Sequence, residues 1–263
     1  MTYLLGDLAS ETERLRLQSL VWEPAGRRLL RLLGDGAGSR VLDIGCGAMG
    51  WLRLLSDWVG PSGSCTGTDV AAGLLAQAQD LVAAEGLRNV ALVDDDLFDS
   101  QLPEGAFDLV HARFQLAPLG CAAEQLTAYR RLLRPGGVLV LEDPDSASWT
   151  YSPEAPRTAE LIGLVRDAFR AAGGDFDAGH AAVHLLAGDG LYPTSRVEHV
   201  ELAEGHPYLR LPLQFAASLR PRLEQLVPTP DLDRLLADSA AEIERPGTRG
   251  ETFTLVQTWA TVP

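Results

Sequence analysis

Lysine is absent, and all 22 basic residues are arginine. Without an ε-amine the chain has no Schiff-base or pyridoxal-phosphate anchor and no Walker-type phosphate loop. Cysteine is scarce too: Cys46, Cys65 and Cys121 lie far apart, and no C-x-x-C occurs. That excludes a zinc cage or a disulfide framework, and the thiols read as small buried hydrophobes in a reducing compartment. No apolar run approaches the ~18–20 residues that span a bilayer. The opening "MTYLLGDLASETERLRLQ" is acidic early and lacks a basic segment followed by an apolar one, so no secretory signal is expected. The expectation is a cytoplasmic protein. Positive charge is outnumbered, 22 basic against 36 acidic residues for a net charge of −14. A surface this acidic repels phosphate, so neither nucleic acid nor a membrane is expected as a partner. The Arg27–Arg28–Arg31 and Arg130–Arg131–Arg134 clusters fall at helical spacing and read as solvated faces.

What is present suits one domain over 1–263, because 46% hydrophobic and 22% charged residues in a chain this long bury a full core. Apolar residues recur at helical spacing from about residue 8 to 34, with Pro24 interrupting one helix or separating two. Short apolar runs then alternate with helical ones. "RVLDIG", "SCTGTD", "NVALV", "FDLVHA" and "VLVLED" read as strands, and "AMGWLRLLSDWVG", "VAAGLLAQAQDLVAAEG" and "CAAEQLTAYRRLL" as helices between them. "RPGG" reads as the turn into the fifth strand. Strands of four to six residues separated by helices predict right-handed crossovers and a parallel sheet over about 40–143. Beyond it, strands near 196–202 and 252–260 complete the sheet. Helical insertions about 155–190 and 207–246, with the helices of 8–34, are placed to roof its ligand edge.

The run "RVLDIGCGAMGWL" sets Gly45, Gly47 and Gly50 in G-x-G-x-x-G spacing. Glycines there admit a ligand to the backbone, and the following helix presents unpaired N–H groups to an anion. A dinucleotide pyrophosphate and an amino-acid carboxylate fit equally well. Asp43 discriminates: an acid beside the loop repels a pyrophosphate and attracts an ammonium. S-adenosylmethionine carries an α-ammonium and an α-carboxylate on one carbon, which suits an acid plus a helix N-terminus. Asp69, ending the second strand, is placed for ribose hydroxyls or for capping the next helix. One acid of Asp94, Asp95 and Asp96 is placed for an adenine amino group.

In this order the segments "VLDIGCG", "GTD", "LVDDDL", "FDLVHARF" and "YRRLLRPGGVLVLED" resemble the class I S-adenosylmethionine-dependent methyltransferases of bacterial small-molecule type, over about residues 38–145. The resemblance implies an α/β, Rossmann-like, doubly wound sheet of seven mostly parallel strands, helices on both faces and an added helical lid. It implies S-adenosylmethionine as cofactor, with Asp43 toward the ammonium, Gly45 and Gly47 giving backbone approach, Asp69 on the ribose, Asp96 on the adenine amino group and Leu97 on the ring. His111 would line the methionine side; Cys46, Met49, Val70, Asp95 and Ala112 complete that wall. Met49 stands where the family has its third glycine, so the loop is reshaped there or Met49 packs on the adenosyl group.

Methyl transfer needs alignment and exclusion of water more than a base, so no catalytic motif is required. Candidates for a base are His180, His111 and Asp143. His180 and His184, at i and i+4, share a helix face but lack a third metal ligand, and no metal is expected. Arg113, Gln115 and Asp143 are candidates for contact with the acceptor, with Trp22, Trp149 and Tyr151 for an apolar wall. The expected function is methylation of O or N on a small organic acceptor of secondary-metabolite type, as a monomer or homodimer. A nicotinamide-dependent oxidoreductase, resting on the glycine spacing and Asp69, is one alternative. A non-methylating protein that holds S-adenosylmethionine is the other.

Overall fold

The computed structural model describes residues 8–263, and side chains from residue 12. The opening stretch, in which no secretory signal is expected, lies partly outside the described residues. Helix α1 (Leu8–Leu33) runs unbroken through Pro24. An interior proline costs a helix about 3 kcal/mol, but Trp22, Ala25, Leu29 and Leu30 bury one face of it on both sides of that point. Packing overrides the expected break.

Strand β1 (Arg40–Ile44), helix α2 (Leu52–Val59), β2 (Ser64–Asp69), α3 (Ala72–Glu85) and β3 (Val90–Asp94) follow as expected. Gly86, left-handed at φ 66°, ends α3. Then come β4 (Phe107–Arg113), a four-residue helix α4 (Leu116–Leu119), α5 (Ala122–Leu132) and β5 (Leu133–Asp145). The "RPGG" segment is a bulge inside β5 rather than a turn before it. Leu133 pairs with Phe107 and Val138 with Leu109, so residues 134–137 loop out of register.

The sheet order is β3-β2-β1-β4-β5-β10-β7, where β7 is Thr194–Glu198 and β10 is Thr254–Thr261. The first five strands are parallel, and β10 runs antiparallel to both neighbours. Strand order reverses between β1 and β4, which opens a crevice at their carboxyl ends. The expected strand over 196–202 divides. Its second part, β8 (Glu201–Leu202), joins β6 (Thr150–Ser152) and β9 (Arg249–Glu251) in a three-stranded sheet that periodicity did not reveal. Strands of two or three residues are too short to show alternation. The expected helical insertions are α6 (Pro156–Ala171) with α7 (Gly179–Gly188), and α8 (Leu211–Leu226) with α9 (Thr229–Ile243).

Alternate residues of the central strands feed two separate cores, as the period of two requires. Leu42, Val110, Leu139 and Leu141 belong to one, and Val41, Leu109 and Val140 to the other. Among the described residues no helix is long and apolar enough to cross a membrane.

Candidate active site

The loop after β1 is shaped by its glycines. Gly45, Gly47 and Gly50 have φ of 63°, 57° and 44°, a region that side chains disfavour. A Cβ on Gly50 would lie 2.4 Å from Asp43 Oδ2 and 2.6 Å from the Cys46 carbonyl oxygen. One on Gly45 would meet the Gln115 amide. Met49, half-buried, lines the same cavity.

That cavity lies over the crevice between β1 and β4. On one side are the glycine loop, Thr68, Asp69, Val70, Asp95, Asp96 and Leu97, with His111 and Gln115 beneath. On the other are Arg14, Gln18 and Ser19 of α1, Arg113 and Phe114 at the end of β4, and Phe169, Phe176, Phe215 and Phe253. The space is about 1370 Å³, its open mouth to solvent included.

Beneath the loop, four adjacent strands each give one polar residue to a buried row. Asp43 of β1 and His111 of β4 are register partners, as are Glu142 of β5 and Gln257 of β10. His111 Nδ1 lies 2.7 Å from Asp43 Oδ1, and Nε2 lies 3.1 Å from Glu142 Oε2. Asp43 Oδ2 accepts from the Trp51 backbone N–H at 2.8 Å, and Gln257 Nε2 donates to Glu142 Oε1. The Trp51 ring stacks on the imidazole with centroids 3.9 Å apart. Burial works against a charged imidazole, but hydrogen bonds to the two carboxylates outweigh it, and the His111 pKa is raised. Each ring nitrogen thus faces a carboxyl oxygen, and the imidazole is held between two acids.

Most of the residues expected at the cofactor wall line this one cavity; Ala112 does not, being wholly buried in the core. Asp69 is more engaged than expected. Its Oδ2 accepts from the Gly47 N–H at 2.9 Å and its Oδ1 from Ala71 at 2.8 Å, so it ties the two loops together. Burial raises its pKa, against those backbone hydrogen bonds. An ionised carboxylate has about four acceptor sites, which leaves capacity for a ligand. Asp96 Oδ1 accepts from Phe98 N–H, and Asp95 Oδ1 from Gln101 N–H.

The candidates for a base fare differently. His180 is 61% exposed, 3.8 Å from Asp145, and does not line the cavity. Asp143 points into the core on the opposite face from Glu142 and does not line the cavity either. Its Oδ1 accepts from the Ala117 N–H at 3.0 Å, its Oδ2 has no hydrogen-bond partner among the described residues, and burial raises its pKa to about 8. It anchors the turn into α4 rather than meeting an acceptor. Trp22 and Trp149 stand behind the cavity wall: Trp22 packs 5.2 Å from Phe253, and Trp149 stacks 5.5 Å from Phe176. Arg113 and Gln115 do line it. The phenylalanines at 169, 176, 215 and 253 were missed, because single aromatics in helices and loops look like any core residue.

Residues 41–137 match a family described as a methyltransferase domain. The aklanonic acid methyltransferase DauC of Streptomyces sp. (strain C5) is 31% identical over 162 residues, which cover 62% of this chain and 73% of that protein. Nocamycin O-methyltransferase of Saccharothrix syringae is 32% identical, over 58% of this chain and 65% of its own length, just under two thirds. A SAM-dependent methyltransferase from Aquifex aeolicus shares the fold, with a TM-score of 0.55 at 17% identity over 94% of this chain and 97% of that one.

The chain belongs to the class I S-adenosylmethionine-dependent methyltransferases. Its cofactor is S-adenosylmethionine, and that membership displaces the nicotinamide reading of the glycine loop.

Proposed function

We propose that the chain methylates an oxygen or nitrogen of a small organic acceptor of secondary-metabolite type. One observation carries the reading: the glycine loop with its acids and a wall of phenylalanines face the same cavity. The names of the two relatives, an aklanonic acid methyltransferase and an O-methyltransferase, support the acceptor class.

When bound, the cofactor supplies a methyl group on a positively charged sulfur. Gly45 and Gly47 would let its methionyl part lie against backbone, Asp43 would set the negative field for its ammonium, Asp69 would take the ribose, and Asp96 with Leu97 the adenine. His111, through its 2.7 Å contact with Asp43 Oδ1, would fix the rotamer of that side chain, a positioning role. Leu15, Gln18 and Ser19 of α1, Phe169 of α6 and Phe215 of α8 line the cavity, so these helices would act as the lid that keeps water out. Both ring nitrogens of His111 are engaged, and Cys46 is held protonated, its pKa pushed far up by burial. Neither takes a proton from an acceptor. Methyl transfer from a sulfonium does not require a strong base.

Calorimetric titration with S-adenosylmethionine, S-adenosylhomocysteine and NAD, on wild type, Asp43→Asn and Asp96→Ala, comes first. Micromolar binding of the two adenosyl ligands, weakened in both variants, is expected; binding of NAD alone would sink the reading. Incubation with acceptors then separates methyl transfer from a purely binding role, because only the former releases S-adenosylhomocysteine.

A further inference from the structure

Arg113 ends β4 on the same sheet face as His111, lines the cavity and is 9% exposed. A guanidinium has five N–H donors. The hydrogen bond it makes among the described residues goes to Ser19 Oγ at 3.2 Å, and its other contact is the Phe114 ring, centred 5.7 Å away. Its register partner Glu142 is taken up by His111 and Gln257. A buried cation without a carboxylate is costly unless something else completes it. Here the open side of the guanidinium is the cavity. Arg14, which has partners of its own, lies 4.9 Å over the Phe215 ring and adds positive charge to the same wall.

Much of the rest of that wall is aromatic. Phe176 meets Phe215 at 5.8 Å and Phe253 at 5.5 Å, each edge to face, and Phe114 meets Phe253 at 5.7 Å in the same way. Such an array presents both faces and edges to a flat ring system. Phe114 is held at φ 57°, a conformation that a bulky residue rarely adopts. Strain of this kind persists where the surroundings impose it, commonly at a ligand site.

Resting on the proposed function, we propose that Arg113 seats an anionic oxygen group of the acceptor, a carboxylate or acidic phenolate, whose aromatic body lies among Phe114, Phe176, Phe215 and Phe253. The cofactor has a carboxylate as well, so the test must separate the two sources.

Anthraquinone-2-carboxylate and its uncharged carboxamide serve as probes, titrated by fluorescence quenching into protein saturated with S-adenosylhomocysteine. Wild type is expected to bind the acid at least tenfold tighter than the amide. Arg113→Gln should abolish that preference while binding S-adenosylhomocysteine within threefold of wild type. Arg113→Lys, which keeps the charge, should restore part of the preference and guards against misfolding in the first variant. Equal binding of acid and amide by wild type, or no binding of either, overturns the proposal. So does a tenfold loss of S-adenosylhomocysteine affinity in Arg113→Gln, which would assign the guanidinium to the cofactor's carboxylate. Should wild type bind no S-adenosylhomocysteine, the proposed function falls, and the anion seat is judged on the probes with unloaded protein: an acid preference lost in Arg113→Gln keeps it, and no preference ends it.

Discussion

One wall of the cavity is centred on Asp43 to Gly50, a single run of chain at the end of one strand, with the ends of β2 and β3 beside it. The facing wall takes Arg14 from α1, Phe169 from α6, Phe215 from α8 and Phe253, the residue before β10. The first depends on backbone conformation and on a buried charge network directly beneath it. The second depends on side chains that meet only after the helices have packed. A strand end fixes what must be the same for every acceptor; a packed helical roof can change one residue at a time. Division of labour between the walls follows from how each is built.

Variants can break this contrast. His111→Ala, the largest expected effect, leaves Asp43 and Glu142 buried without their shared partner, and losing one member of such a set costs about 3–5 kcal/mol. Urea denaturation at pH 7 measures it. The His111 pKa is raised in the folded state, so its contribution is complete below about pH 6.5 and is lost as pH rises through the raised value. The gap between wild type and variant should therefore narrow in alkali.

Gly50→Ala comes next. A left-handed alanine costs about 1–2 kcal/mol, and the new Cβ would press on Asp43 Oδ2 and the Cys46 carbonyl. Stability and S-adenosylhomocysteine affinity should fall together, whereas a change in the phenylalanine wall should spare the second. Asp143→Asn addresses the pH slope. The folded-state pKa of Asp143 is raised to about 8, against about 3.9 unfolded. Its favourable contribution is full below the unfolded value and is lost as pH climbs through about 8, a slope of up to about 1.4 kcal/mol per pH unit. Asparagine keeps the acceptor for Ala117, so the variant should flatten stability between pH 4 and 8 in thermal melts. Phe114→Gly is the smallest. Relief of the strained φ offsets the lost ring contact, so stability should move by less than about 1 kcal/mol, while binding of an aromatic acceptor weakens severalfold in titration.

The contrast also explains what the sequence disclosed. Asp43, Gly45 and Gly47 were legible because their spacing along the chain is their arrangement in space. Glu142 and Gln257 were not, because their meeting with His111 depends on the register of β5 with β4 and of β10 with β5. Adjacent in sequence, Glu142 and Asp143 look alike as acids, and the pleat sends them to opposite cores. His180 looked suitable on a helix near the roof, but α7 turns it to solvent. The small sheet of β6, β8 and β9 was invisible for want of length.

The polar row beneath the loop also acts as a registration mark for assembly. A one-residue slip of β4 would turn His111 into the opposite core and set Val110 or Ala112 between two carboxylates. Misaligned sheets would thus leave two buried carboxyl groups without the imidazole that they share in the correct one. The same contacts that hold Asp43 beneath the glycine loop therefore distinguish the native alignment of β1, β4, β5 and β10 from its one-residue slips.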